Sequence, residues 1–365
     1  MKNIIRVAAL SGAVALALAA CGSAPEETEE TAGGGETAAA IDYKACIVSD
    51  AGGFDDRSFN QLSYEGTKKA ADELGAEFAE AQSDSETDFA PNLEAMVSEG
   101  CNTTVAVGFA LSAATVESAL ANPELEFVLV DDAADNDFDG TKDAENIKPL
   151  LYDTAQAAFL AGYLSAGYAV QVDPASPALG MFGGMEYPTV TIFMDGFRQG
   201  AEYYNEVKGA TVEVIGMTSF TGGFVADDGA KGVAAGIIEE GVEVLLPVGG
   251  PIYQSAMDAI ADSGREVALI GVDADFFDTD PSTQDLVLTS ILKKMDVSTY
   301  DAITAAGAGD FDPEAYIGNL ENGGVGIAPL HNFEDKVDAA LVAEVEALQE
   351  QIISGDVAVE SYLAK

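Results

Sequence analysis

The sequence predicts an α/β protein whose parallel sheets are covered by helices, and its length favours two lobes. Short apolar runs alternate with helical stretches along the 365 residues, which is the pattern of parallel sheets. Hydrophobic residues make up 48% of the chain, which is enough for packed interiors. The chain is also longer than the length that a single hydrophobic core usually serves. The predicted strands are 46–49, 105–108, 127–130, 178–182, 212–217, 244–248 and 268–272.

The start of the chain has the pattern of a lipoprotein signal. A basic start precedes the apolar segment 7–20, which is too short for a stable membrane span. The sequence Leu18-Ala-Ala-Cys21-Gly22 predicts a signal peptide over 1–20 and acylation of Cys21. Because two acyl chains make a stable anchor, we expect a protein held at the outer face of the bacterial cytoplasmic membrane. Residues 21–40 are acidic and rich in Gly and Ala, which predicts a flexible tether.

The charge balance limits the possible partners. The chain has 63 Asp and Glu against 16 Lys and Arg, for a net charge of −47. Such a field disfavours nucleic acid and anionic membrane surfaces as partners. The acids are spread over helix faces and loops and are accompanied by a single histidine, His331, so we expect neither a metal site nor a cofactor. A saline habitat, where salt screens this self-repulsion, is a hypothesis for the acidic composition.

Glycine, aspartate and phenylalanine follow strand after strand. Ligands of open α/β sheets bind at the carboxyl ends of the strands, so this pattern predicts a binding cleft there. The segment 50–60, DAGGFDDRSFN, is the most informative because it offers carboxylates, an amide and two rings between a strand and a helix. The other strand ends carry Gly108-Phe109, Asp131-Asp132, Gly183-Gly184, Ser219-Phe220, Gly249-Gly250 and Asp273.

Seven segments, taken in order, match the motifs of one known family: the lipoprotein box, DAGGFDDRSFN at 50–60, AAFLAGYLSA at 157–166, GMFGGMEYPTV at 180–190, LPVGG at 246–250, IGVDAD at 270–275 and TSILK at 289–293. Together they resemble the basic membrane protein family, the purine-nucleoside-binding lipoproteins of bacterial ABC importers. The resemblance implies a type I periplasmic-binding-protein fold, in which two Rossmann-like lobes joined by a three-strand hinge close around the ligand. It also implies a purine nucleoside ligand (inosine, guanosine or adenosine) and a membrane permease as partner.

The resemblance implies that the base is bound between the lobes. Asp50 and Asn60 would bond the base edge, and Phe59 would stack on the purine. Phe220 would supply a second ring from the opposite lobe. The segment after Phe220 is longer and richer in glycine than the family pattern, so Phe224 is an alternative.

The ribose would be held by acids and one lysine. The resemblance implies these roles for Asp131, Asp273 and Lys293, with Asp132 as an alternative to its neighbour. Ionised carboxylates are strong acceptors for a ribose diol, and the lysine would also offset their mutual repulsion. Gly249 would allow close approach of the backbone.

The predicted lobes exchange segments near the C-terminus. We expect lobe 1 to contain 41–154 plus about 276–312, and lobe 2 to contain 155–275 plus about 313–335. The helix within 336–365 is left unassigned. Cys46 and Cys101 lie at the same end of neighbouring predicted strands, so a disulfide is feasible in an oxidising compartment; two free buried thiols are the alternative.

These features favour a binding protein over an enzyme. No G-x-S-x-G motif occurs in the sequence, and His331 lies in a loop near the C-terminus. A nucleoside hydrolase, a remote alternative, needs the aspartate pattern D-x-D-x-x-x-D-D, but Gly52 replaces its second Asp and Asp55-Asp56 come one residue early. A sugar or autoinducer receptor on the same fold is the nearer alternative.

Overall fold

The computed structural model describes residues 41–363, so the predicted signal peptide, the tether and Cys21 lie outside the described residues. Within this range the chain forms two six-stranded sheets. The strands of the first sheet are all parallel and lie in the order β11-β5-β4-β3-β1-β2. They are β1 (Lys44–Val48), β2 (Glu77–Ala81), β3 (Thr103–Val107), β4 (Glu126–Val130), β5 (Ile147–Tyr152) and β11 (Tyr316–Gly318).

The second sheet repeats this plan with one antiparallel edge. Its order is β12-β10-β9-β8-β6-β7, and β12 runs antiparallel to β10. Its strands are β6 (Ala178–Gly183), β7 (Glu213–Ile215), β8 (Val244–Val248), β9 (Ala268–Asp273), β10 (Val287–Lys293) and β12 (Val325–Ile327). All seven predicted strands are present, and the predicted α/β class with two parallel-dominated sheets is confirmed.

Helices cover both sheets. Those packed with the first sheet are α1 (Phe59–Leu74), α2 (Phe89–Ser98), α3 (Ser112–Ala121) and α9 (Met295–Gly307). Those packed with the second are α4 (Thr154–Val172), α5 (Pro188–Lys208), α6 (Asp228–Glu239), α7 (Ile252–Ser263) and α8 (Phe276–Thr279), while α10 (Ala339–Ser354) packs on α4. None of the helices within 41–363 has both the length and the apolar character that a bilayer crossing requires.

The chain passes between the two lobes three times. The crossings are at Asp153 between β5 and α4, at Lys294 between β10 and α9, and at residues 319–324 between β11 and β12. Two strands lie in a different lobe from the one we expected: β10 pairs in the second sheet, and β11 pairs with β5 in the first. The reason is that both crossings come later in the chain than expected, at 294 rather than about 276 and at 319–324 rather than about 313, and no composition change marks either one.

Cys46 and Cys101 are joined by a disulfide in the structure, with a Cα–Cα distance of 5.9 Å. Cys46 lies within β1, and Cys101 lies two residues before β3, the strand that pairs with β1. Both cysteines are buried among apolar side chains of the same core. The crosslink therefore ties two adjacent strands of lobe 1 together below the loop that begins at Asp50.

The core of lobe 2 is built around an unusually close pair of helices, α4 and α5. Helix α4 is buried on nearly every side, and it carries glycine where α5 crosses it. A Cβ at Gly162 would lie 2.0 Å from the backbone oxygen of Phe197, and a Cβ at Gly200 would lie 2.0 Å from that of Phe159. Glycine at these positions lets the two backbones touch, which fixes the start of α5 beside the cleft.

We predict opposite effects for two glycine-to-alanine substitutions in lobe 2. Gly162→Ala should destabilise the protein by about 2 kcal/mol, because its new methyl group collides with α5. Gly232→Ala, on an open face of α6, should stabilise it by about 0.5–1 kcal/mol, since alanine restricts the unfolded chain. Urea unfolding followed by circular dichroism measures both; equal effects would contradict the proposed packing of α4 on α5.

Candidate functional site

The carboxyl ends of the two sheets face each other across a cleft, and three charged side chains meet there. The ammonium of Lys293 contacts a carboxylate oxygen of Asp131 and lies 3.8 Å from Oδ1 of Asp273. Asp131 follows β4 in lobe 1, whereas Asp273 and Lys293 end β9 and β10 in lobe 2. All three side chains are over 90% buried. We call these three residues the charged triad; it joins the lobes inside the cleft.

Both acids of the charged triad sit on an unusual backbone. The φ angle is +67° at Asp131 and +66° at Asp273, the left-handed region that residues other than glycine seldom occupy. Aspartate and asparagine tolerate this region better than most residues. Because each acid stands directly at the end of its strand, the same sharp turn in each lobe directs a carboxylate into the cleft. Strain of this kind concentrates at functional sites.

The surroundings of Lys293 are aromatic. Its ammonium lies 5.1 Å from the ring centre of Phe59, and 5.4 Å from those of Tyr152 and Phe193. Ring faces attract a desolvated cation, so these contacts help to hold the lysine in a site with little water. Phe59 is the ring that the resemblance assigns to stacking on the base, and the structure brings it next to the charged triad.

Burial governs the protonation of the acids. It raises the pKa of Asp273 to about 6, partly opposed by the charge of Lys293 and reinforced by that of Asp131. Burial likewise raises the pKa of Asp131, against the attraction of Lys293. A single ammonium thus compensates two buried carboxylates, so the site has a surplus of acceptors for a ligand rich in hydroxyl groups.

The loop 50–60 forms a second polar cluster. The Asn60 amide donates to Asp50 Oδ1 at 2.7 Å and to Asp56 Oδ2 at 3.1 Å, while the Gly52 amide donates to Asp50 at 2.8 Å. Burial raises the pKa of Asp50 to about 6, and these hydrogen bonds oppose the rise. Asp56 also accepts from the backbone amides of Ser58, Asn60 and Gln61 and so caps α1. In the structure, then, Asn60 orients Asp50.

The acid after Asp131 has a separate role. Asp132 accepts a hydrogen bond from the Ser112 hydroxyl and one from the Ala134 amide, so it is tied into its own turn. Of the two adjacent acids, Asp131 is the one that contacts Lys293. Ser58, for which the sequence predicted no role, donates to Asp273 Oδ2 at 3.0 Å across the cleft.

An aromatic row bridges the lobes. Phe109 of lobe 1 lies 5.3 Å from Tyr187 of lobe 2, and Tyr187 lies 6.2 Å from Phe224. Phe109 follows a predicted strand and Tyr187 lies within a matching segment, but the sequence predicted no role for either residue. We call Phe109, Tyr187 and Phe224 the aromatic row.

The glycines at the strand ends make room for the rings. A Cβ at Gly249 would lie 2.7 Å from the Phe224 ring, and one at Gly184 would lie 2.4 Å from it. Gly249 therefore accommodates Phe224 in the structure. Phe220 packs on Gly183 and lines a groove whose other residues come from β7, the turn after it and α6. The geometry favours Phe224 over Phe220 as the ring nearest the cleft.

Two other groups of titratable residues lie apart from the charged triad. His331 bonds to Asp275 at 2.7 Å and stacks on Phe277, and its contacts hold a loop of lobe 2. Asp135, Asp137 and Asp143 form an acidic group whose carboxylate oxygens lie within 4.8 Å of one another. The oxygens of Asp135 already accept from backbone amides of the same loop.

A cleft between two lobes joined by three crossovers is the architecture of a solute-binding protein, and comparison with known proteins identifies the family. The profile of ABC transporter substrate-binding proteins that are PnrA-like matches residues 44–362. The chain belongs to this family. The resemblance noted in the sequence is thereby confirmed, and the family comprises substrate-binding proteins of transporters, not enzymes.

Relatives and solved structures agree with this family. A protein of Lactococcus lactis subsp. cremoris named ABC transporter nucleoside-binding protein BmpA is 28% identical, with 99% of each chain covered. An uncharacterized lipoprotein of Pyrococcus abyssi is 30% identical over 84% of this chain and 74% of its own. A solved ABC transporter solute-binding protein from Aeropyrum pernix K1 matches with a TM-score of 0.78 and 25% identity, covering 88% of this chain and 94% of that one.

We predict that acidification stabilises the protein between about pH 7 and pH 5. The pKa values of Asp50 and Asp273 are about 6 in the folded protein, above the ordinary 3.8, so the folded state binds more protons in this interval. The free energy of unfolding therefore rises as pH falls, by about 1.4 kcal/mol per pH unit for each extra proton bound.

Urea unfolding at several pH values measures this slope. Asp273→Asn, which suits the left-handed backbone, should have a smaller slope than the parent. Asp262→Asn, an exposed acid of α7 paired with Lys231, is the matched control and should leave the slope unchanged. A slope unaltered in Asp273→Asn would contradict the assigned pKa shift.

Proposed function

We propose that the protein captures purine nucleosides in the cleft and delivers them to the permease of an ABC importer. The observation that carries the proposal is the charged triad beside an aromatic ring. A nucleoside combines a flat base with a ribose diol, and stacking is worth about 1–3 kcal/mol per base while carboxylates accept the hydroxyl protons. The family membership and the nucleoside-binding relative support the same ligand class.

Each part of the site has a role in this proposal. Asp131 and Asp273 accept from the ribose hydroxyls, and Lys293 donates to a ribose oxygen. Phe59 stacks on one face of the base, and Phe224 from the aromatic row is the candidate for the other face, with Phe220 as the alternative. Asp50, oriented by Asn60, accepts from the base edge. Gly249 contributes the space that Phe224 occupies.

We also propose that acylated Cys21 anchors the protein to the outer face of the cytoplasmic membrane. The sequence Leu18-Ala-Ala-Cys21 supports this, as does the lipoprotein name of the Pyrococcus relative. Cell fractionation tests it: Cys21→Ser should move the protein from the membrane fraction to the soluble fraction, and retention in the membrane would contradict it.

A ligand panel tests the nucleoside assignment. We expect inosine, guanosine or adenosine to raise the melting temperature and to release heat in calorimetry, whereas ribose and free bases alone bind much more weakly. The physical reason is that neither part of the ligand alone uses both the rings and the charged triad. Tight binding of ribose with no response to nucleosides would instead favour the sugar receptor.

Within the same panel, Asp273→Asn should weaken the best nucleoside by about 2 kcal/mol, the value of a lost charged hydrogen bond. Asp262→Asn on the outer face of α7 serves as its control and should bind like the parent. Equal affinity in Asp273→Asn and the parent would remove Asp273 from the ribose site.

A further inference from the structure

A second ion pair joins the lobes away from the charged triad. Nη1 of Arg57 lies 2.7 Å from Oδ2 of Asp280. Arg57 belongs to the loop between β1 and α1 in lobe 1, and Asp280 follows α8 in lobe 2. The arginine side chain is 47% exposed and the carboxylate only 6%, so the pair lies where the cleft meets solvent.

Lobe 2 holds the acceptor in place by itself. The Tyr253 hydroxyl donates to Asp280 Oδ2 at 2.7 Å, and the Ser282 amide and hydroxyl donate to Oδ1 at 3.0 and 2.6 Å. Burial would raise the pKa of Asp280, but the hydrogen bonds from Ser282 and Tyr253 and the charge of Arg57 lower it to about 2. Because Tyr253 and Ser282 belong to the same lobe as Asp280, they orient its carboxylate without the arginine of lobe 1.

In lobe 1, the backbone of Arg57 has an unusual conformation. Its φ angle is +59°, in the left-handed region, which is strained for a side chain of this size. Its neighbour Asp56 caps α1 within lobe 1, and its other neighbour, Ser58, bonds across the cleft to Asp273 and to the Val272 carbonyl of lobe 2. Phe59 comes two residues after Arg57, immediately after Ser58. A movement of Arg57 therefore also moves the Phe59 ring, which lies beside the charged triad.

The charge of the whole chain gives this pair its importance. With a net charge of −47, approach of the two acidic lobes is opposed by repulsion. Among the salt bridges of residues 41–363, the pairs that join the lobes are Lys293–Asp131 and Arg57–Asp280. Lys293 faces the proposed ligand, whereas Arg57 makes its contact outside the charged triad.

We propose that Arg57, Asp280 and Tyr253 form a latch that favours lobe closure and positions Phe59. We call these residues the rim latch. Opening of the cleft separates Arg57 from Asp280, so the latch shifts the ligand-free protein toward the closed form and slows ligand release. The effect on release rests on the proposed nucleoside function, whereas the effect on the lobes does not.

Distance measurement between the lobes tests the rim latch. Spin labels at Glu117→Cys in α3 and Glu239→Cys in α6, both exposed, report the separation by double electron–electron resonance in the full chain carrying Cys21→Ser. In ligand-free protein we expect Arg57→Gln to lower the ratio of closed to open molecules about tenfold. Arg198→Gln, which removes a cation that pairs with Glu202 within α5, is the matched control and should match the parent.

The remaining outcomes separate this proposal from the nucleoside assignment. Asp280→Asn should resemble Arg57→Gln, and the double variant should be no more open than either single variant. Arg57→Gln should also release inosine about tenfold faster in stopped-flow experiments. If no nucleoside binds to any variant, the proposed function fails while the distances still decide the latch. A distance distribution unchanged by Arg57→Gln, or changed equally by Arg198→Gln, would overturn the rim latch.

Discussion

The rest of the cleft depends on one electrostatic constraint, the burial of two carboxylates around a single ammonium. Asp131 and Asp273 come from different lobes, and both need the charge of Lys293 to remain ionised out of water. The requirement links the two lobes inside the cleft. In the proposed function a hydroxyl-bearing ligand bonds to the same carboxylates, so that proposal makes ligand binding and lobe closure depend on the same three side chains.

The acidic composition makes each of the few cations more consequential. The chain has 16 Lys and Arg residues against 63 acids. Two of these cations, Arg57 and Lys293, form ion pairs with acids of the opposite lobe. One acts in the interior of the cleft and the other at its edge, so their contributions differ in exposure and in sensitivity to salt. Lobe closure therefore balances general repulsion against specific contacts, and these two are the ion pairs among them within residues 41–363.

Much of this arrangement could be predicted from the sequence, because buried parallel strands are apolar and end in recognisable residues. All seven predicted apolar runs are strands in the structure. The side chains of Asp131, Asp273 and Lys293, which the resemblance placed in one site, lie next to each other. Of the five missed strands, β10 is also an apolar run, whereas β2 and β5 lack that signal. β2 is an edge strand of five residues that contains two acids, Glu77 and Glu80, and β5 contains Pro149, which disfavours a strand prediction. Contacts such as Ser58 with Asp273 join residues 215 positions apart, and no local pattern encodes them.

Comparison of two variants tests the central claim, that Lys293 compensates both buried acids. Urea unfolding of Lys293→Met should show a loss of about 3–5 kcal/mol, since it leaves buried charges without a partner. Adding Asp131→Asn to this variant should recover a large part of the lost stability, because it removes one of those charges. If Lys293→Met is no more destabilising than Lys231→Met on the surface, or if Asp131→Asn restores nothing, the charged triad does not hold the cleft together.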